Sequence, residues 1–202
     1  MGISKRLSTL SALVLPLAVS AGALAEPVVF KVEGGGASKI QFVSDAPLEK
    51  FTGASSGLSG EVKLDPAKAA EAKGEVNVAV SSIKTGLALR DEHLHAENWL
   101  DAAKFPESKF VISKITGVTA LKPNETADCQ VVGKFTLHGV TKEVTAKAKV
   151  RHITGSENAL HVVASFPVKL EEHKVSIPSI VALKVAKEIQ VNVDLKAKAK
   201  AK

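Results

Sequence analysis

Tyrosine is missing altogether from the 202 residues, cysteine and tryptophan occur once each, and phenylalanine occurs only seven times. Each shortage closes off a class of structure or partner. The lone Cys129 cannot form an internal disulfide, so the fold has to be held by its apolar core. A single domain of about 150 to 200 residues can manage that, burying roughly 70% of the surface its unfolded chain exposes. Cys129 shares strand parity with Val131, Phe135 and Leu137, which reads as a buried structural thiol. The alternative for an odd exported cysteine is a link between two copies, so a homodimer stays open. Tyr is absent, Trp99 is alone, and the seven Phe are spread along strands rather than placed as platforms on which bases could stack. The formal charge of +6 supplies no nucleic-acid surface either. Without Lys5 and Arg6 it falls to +4, which Lys196, Lys198, Lys200 and Lys202 account for in full, leaving a near-neutral body. Beyond Leu24, no segment approaches the ~18 consecutive apolar residues of a membrane span.

What is present begins with a leader. Lys5 and Arg6 precede an apolar run from Leu7 to Leu24, and Ala23-Leu24-Ala25 has the small-x-small pattern of a secretory cleavage site. Residues 1–25 are therefore expected to be a signal peptide, and the mature protein periplasmic or secreted. A retained anchor helix is the rival, but Ser8, Ser11, Pro16, Ser20 and Gly22 interrupt the run and no basic stop-transfer cluster follows.

From Pro27 the pattern has period two. Val28, Phe30 and Val32 share a face, Gly34-Gly35-Gly36 turns the chain, and Ile40 and Phe42 begin the next strand. Asp45 to Phe51 reads as a loop or broken strand. Leu58 to Leu64 and Val76 to Val80 alternate cleanly. After a long interruption, Phe110 and Ile112 resume the habit, and Cys129 to Leu137 and Val144 to His152 form two strands joined at His138-Gly139. Leu160 to Val168 and Ile189 to Leu195 complete eight or more strands. Antiparallel strands with one apolar face each must close on themselves or pack as two sheets, and their length together with the helical interruption favours a barrel. Along Val144 to Val150 the inward parity carries Ala146 and Ala148, small enough to leave room for a ligand unless neighbouring Phe and Leu fill it. The tail Lys196 to Lys202 alternates Lys with Ala beyond the last apolar residue and is expected to be disordered. Solubility is its plain role, and weak contact with an anionic membrane the functional alternative.

The interruption, Ser81 to Phe110, has Leu89, His93, Ala96 and Leu100 at helical spacing, with Asp91 and Glu92 near the start where a helix favours carboxylates. Arg90, Asp91 and His93 lie beside Leu87, Leu94 and Trp99, the mixture that the mouth of an apolar cavity needs. Ser82-Ile83-Lys84-Thr85, Arg90-Asp91-Glu92-His93-Leu94, Trp99-Leu100-Asp101 and Phe105-Pro106 resemble the signature of the YceI-like family of secreted lipid-binding proteins. Gly133-Lys134-Phe135-Thr136-Leu137-His138-Gly139-Val140-Thr141-Lys142 is similar to that family's hairpin motif. The family's late Arg and aromatic-Gly motif is not evident; Lys169 to His173 and Ile177 to Val181 stand there instead. The resemblance implies an all-β, antiparallel lipocalin-like barrel over residues 26–195, with one short helical insert covering its mouth. It also implies a bound polyisoprenoid or fatty amphiphile, no other cofactor, and a carrier rather than an enzyme. The alternative is an envelope stress or interaction domain with a filled core.

Candidate contacts for such a ligand are Phe42, Leu87, Leu89, Arg90, His93, Leu94, Trp99, Phe135, Ala146, Ala148 and Phe166. Arg90 suits a phosphate or carboxylate head group, because a guanidinium fork matches either; the plain reading of Arg90 and Asp91 is an ion pair and a helix cap fixing the insert. Gly53-Ala54-Ser55-Ser56-Gly57 matches the G-x-S-x-G pattern, but an alternating strand follows where a nucleophile elbow needs a helix, so it reads as a turn. None of the six histidines' spacings supports a metal site strongly: His93 and His95, two apart, would share a face on a strand but diverge on the helix expected there, and no nucleophile-base pair is assignable.

Overall fold

A computed structural model describes residues 26–200, so residues 1–25, expected from the sequence to be a signal peptide, lie outside the described residues. Ten strands run in chain order: β1 (Val28–Val32), β2 (Lys39–Asp45), β3 (Lys50–Ser55), β4 (Leu58–Leu64), β5 (Lys73–Ala79), β6 (Glu107–Thr116), β7 (Thr126–Leu137), β8 (Val140–Ile153), β9 (Ala159–Lys169) and β10 (Glu188–Ala199). One α-helix, α1 (Ala88–His95), lies between β5 and β6. Each strand is antiparallel to its neighbours, and β1 with β4 to β10 closes a ring of eight through the β1–β10 pairing. The β2–β3 hairpin continues the wall along the first half of β10, through Phe42↔Val191 and Ile40↔Val193. The chain is a closed antiparallel barrel.

Alternation produces this wall. In β7, Cys129, Val131, Phe135 and Leu137 are buried, while Asp128, Gln130 and Lys134 face water. Burial pushes the Cys129 thiol pKa up, with the Asp128 charge adding to it, so the sulfur stays protonated and unreactive. The β7–β8 turn places His138 at φ 49° and Gly139 at φ 73°, the left-handed pair that matches the strands' twist. A side chain on Gly139 would run into the Phe105 ring.

Two buried clusters stack along the barrel axis. The floor cluster gathers Phe30, Leu58, Val62, Leu64, Leu121, Leu160 and Leu195; the mouth-side cluster gathers Val80, Leu100, Phe135, Phe166, Val168, Leu170 and Val191. A 3-10 turn, Pro66–Glu71, plugs the floor. Asp65 starts it by accepting from the Ala67 amide at 2.9 Å, and Ala69 and Ala72 are fully buried beneath it.

Three expectations need correction. Lys50–Ser55 is a strand paired with β2 rather than part of a loop and a turn, because the Phe42 ring lies over Gly53 and covers the strand that small residues leave bare. Helix α1 stops at His95, where the Ala96 amide bonds back to the His93 carbonyl. The tail is not disordered from Lys196: β10 runs to Ala199, pairing Ala197 with Val32 and with Leu160, so the barrel extends past 195. Ala197 is wholly buried, and the alternate lysines point outward to carboxylates, Lys198 to Glu33 at 3.1 Å and Lys200 to Glu61 at 2.6 Å. Weak strand propensity is overridden because these alanines close the ring where little room is left, and paired carboxylates offset the like charges. Residues 201–202 lie outside the described residues. No helix among the described residues is long and apolar enough to cross a membrane.

Candidate functional site

The end of the barrel away from the tail is hollow. A cavity of about 880 Å³ opens there, a size typical of sites for small molecules. Its walls are the inward faces of β2, β3, β7, β9 and β10, among them Ile40, Phe42, Phe51, Phe135, Val168 and Val191. Polar groups along these walls are already satisfied. Ser44, fully buried, accepts from the Ala186 amide at 2.9 Å; Ser55 and Ser82 share a hydrogen bond at 2.6 Å; Ser108 donates to the Thr136 carbonyl at 3.0 Å. The hydroxyls therefore make little demand on a ligand, and what remains of these walls is mostly apolar surface.

Two lips form the mouth. The first is the segment 83–100: Ile83, Leu87, Leu89, Arg90, His93, Leu94, Trp99 and Leu100 all line the cavity. It is held by Asp91, 8% exposed, whose Oδ1 accepts from the Thr85 amide at 2.6 Å and the Thr85 hydroxyl at 2.7 Å. Those bonds, the hydroxyl's first, hold the Asp91 carboxyl pKa below its ordinary value. His95 adds a second tie, Nε2–H donating to the Ile83 carbonyl at 3.0 Å. Arg90 forms an ion pair with Glu49 at 2.6 Å, with its guanidinium 4.3 Å from the Phe51 ring centroid. So Asp91 fastens the loop before the helix rather than pairing with Arg90, and Arg90 stands at the rim with one nitrogen engaged.

The second lip is 170–187, between β9 and β10. Leu170, Val175, Pro178, Ile180, Val181 and Val185 line the cavity from it. It is pinned to the β7–β8 hairpin by two histidines: His173, 2% exposed, donates from Nδ1 to the Val140 carbonyl at 3.0 Å, and His138 donates from Nδ1 to the His173 carbonyl at 3.2 Å. Sequence reasoning missed this lip and Phe51. The lip has neither period two nor period 3.6, and its only signal is apolar residues scattered among Pro and Ser.

Of the residues expected to meet a ligand, Phe42, Leu87, Leu89, Arg90, His93, Leu94, Trp99 and Phe135 come together around this cavity. Trp99 is partly buried, while His93, Leu87 and Leu89 are exposed at the rim. Ala146 and Phe166 do not reach it; they line a smaller apolar space of about 130 Å³ beneath. Ala148 lines neither and belongs to the packed floor cluster. Parity gave their direction but not their height along the barrel, and the space beside Ala146 is narrowed by rings: Phe166 sits 5.8 Å from Phe110 and 5.2 Å from Phe135, centroid to centroid. Phe135, Val78, Ile40 and Ser108 line both spaces and so divide them. Ser55 lies inside β3, not on a strand-to-helix elbow. Among the described residues, no group of three His, Cys, Asp or Glu side chains is placed to hold a metal ion. Lys196, Lys198 and Lys200 sit at the opposite end from the mouth, because β10 enters the wall beside the cavity at Ile189 and leaves it at Ala199.

The YceI-like domain model matches residues 32–197 of this barrel. The chain belongs to the YceI-like family. A UPF0312 protein of Pseudomonas fluorescens is 40% identical over 144 residues, covering 69% of this chain and 71% of the relative. Among solved structures, BcnA of Burkholderia cenocepacia is 28% identical with a TM-score of 0.67, covering 79% of this YceI-like chain and 95% of BcnA. A polyisoprenoid binding domain from Saccharophagus degradans, implicated in plant cell wall breakdown, shares the fold at a TM-score of 0.69 and 17% identity, covering 86% of this chain and 99% of that domain.

Proposed function

We propose that this YceI-like protein is a non-enzymatic carrier or binder of a long apolar amphiphile of the isoprenoid class, acting in the periplasm or outside the cell. The chain of the ligand occupies the cavity, and its polar head lies at the rim beside Arg90 and His93. The observation that carries this reading is the cavity itself, about 880 Å³ of mostly apolar surface whose polar wall groups are internally satisfied. Burial of a hydrocarbon chain is worth about 0.8 kcal/mol per methylene, so ten methylenes supply about 8 kcal/mol before the cost of immobilising them. Arg90 keeps donors for a phosphate or carboxylate while Glu49 holds it in place. The Saccharophagus degradans domain with the same fold is described as binding a polyisoprenoid, which supports the same ligand class here. The serine hydroxyls around the cavity are engaged with one another or with backbone, and among the described residues no acid or nucleophile is bonded to His93, which favours binding over catalysis. Organic extraction of the purified protein followed by mass spectrometry tests the reading. A single class of long-chain amphiphile is expected; an empty protein that takes up neither polyprenyl nor fatty amphiphiles would refute it.

A further inference from the structure

Large apolar side chains exposed singly are ordinary, but here they are gathered at one end. Leu48 (67% exposed), Leu87 (55%), Leu89 (65%), Ile180 (90%) and Leu183 (59%) all stand at the mouth. Leu87, Leu89 and Ile180 line the cavity opening from its two lips. Leu48, at the β2–β3 turn, is joined to the second lip by its amide, which donates to the Leu183 carbonyl at 2.9 Å. Among the described residues, the two other large exposed apolar side chains, Val111 and Val163, are on the barrel wall and less exposed. The rim is thus a ring of apolar tips on three separate segments, continuous with the lining of the cavity it encircles.

Among the Asp, Glu, Lys and Arg residues that line the opening, one positive charge is left over. Glu49 is the lining carboxylate and is taken up by Arg90. Lys184, also lining the opening, has no ion-pair partner among the described residues, and Glu92 of α1 is not part of the lining. An apolar ring with a free ammonium beside it suits the interface of an anionic bilayer, where leucine tips enter the acyl boundary and lysine meets phosphate. A second copy seated mouth to mouth would close the cavity's opening. We propose that this rim docks on the surface of an anionic lipid bilayer, with the mouth facing the acyl chains so that an amphiphile passes between bilayer and cavity without crossing water. This rests on the carrier reading for its purpose, though not for the docking itself.

The test uses the protein without its leader, flotation with vesicles of phosphatidylethanolamine and phosphatidylglycerol, and a fluorescent polyprenyl phosphate as probe. Leu48 and Leu183 do not line the cavity. Replacing both (Leu48→Ser with Leu183→Ser) should reduce the vesicle-bound fraction about tenfold and slow probe uptake from vesicles in parallel. Equilibrium uptake of the probe from dilute solution should stay unchanged. Val163→Ser, on the wall, should float as the parent does. The proposal is overturned if the parent protein does not float, if the double variant floats equally well, if Val163→Ser loses as much binding, or if the double variant changes only concentration-dependent self-association. Flotation without any probe uptake from solution would retain the docking and remove the carrier reading.

Discussion

The two ends of the barrel are built from the same alternating strands, yet one is solid and the other hollow. At the floor, Phe30, Leu64, Leu160 and Ala197 meet in a closed layer, capped by the short turn Pro66–Glu71 and ringed by the ion pairs of Lys198 and Lys200. At the mouth, the same faces diverge and the cover is two loops that stand off from the wall, held by a few polar ties: Asp91 to Thr85, His95 to Ile83, His173 to Val140. Strand parity decides which side chains point inward. Whether the inward faces fill each other or leave a cavity is decided by what the chain does between strands, and by how close the strands come at each end.

The contrast predicts where damage is structural and where it is functional. The largest effect should come from the floor seam. Deleting Lys196–Lys202 removes the β1–β10 pairing and should abolish cooperative thermal unfolding, followed by circular dichroism. A truncated protein melting like the parent would mean that the ring does not depend on its seam. Next comes the ring partition between the two spaces. Phe135→Ala should cost about 3 to 5 kcal/mol of stability in denaturant titrations and, by joining the spaces that its ring divides, shift preference toward longer chains. Equal preference across chain lengths would place the end of the ligand elsewhere.

At the mouth, the tie between Asp91 and Thr85 should make the first lip acid-sensitive. The Asp91 pKa is depressed in the folded state, so the stabilisation it gives is complete above the unfolded Asp value of about 3.9 and is lost as pH falls through the lower folded value. Hydrogen exchange at the residue 84–87 amides should therefore accelerate at the acid end of that window, and Asp91→Asn should show the acceleration already at neutral pH. The same pH dependence in the variant would assign it to another group. Arg90→Ala should have the smallest effect on folding, within about 1 kcal/mol, since its ion pair with Glu49 is partly exposed. It should weaken a phosphate-headed amphiphile about tenfold while leaving its alcohol-headed counterpart unchanged, by competition binding.

The barrel was legible where alternation was strong, as in β7, β8 and the His138-Gly139 turn. It was illegible where tertiary contact replaced side-chain pattern. Gly53-Ala54-Ser55 is a strand because Phe42 covers it, and Lys196–Ala199 is a strand because β1 and β9 take it up. At the site, the first lip announced itself by mixing ionisable and apolar residues in one helical segment. The second lip did not, because Val175, Ile180 and Val185 follow no repeat. Ala146 and Ala148 point inward as their parity implied, but period two carries no information on depth along the axis, and neither lines the main cavity.

Trp99 lines the cavity and is the only tryptophan in the chain, so its emission reports on occupancy without interference. Titrating delipidated protein with a polyprenyl phosphate in solution should give a saturable spectral shift that ends at one equivalent, with the ligand retained through gel filtration. A spectrum that does not move, with no ligand retained, would contradict an amphiphile held in this cavity.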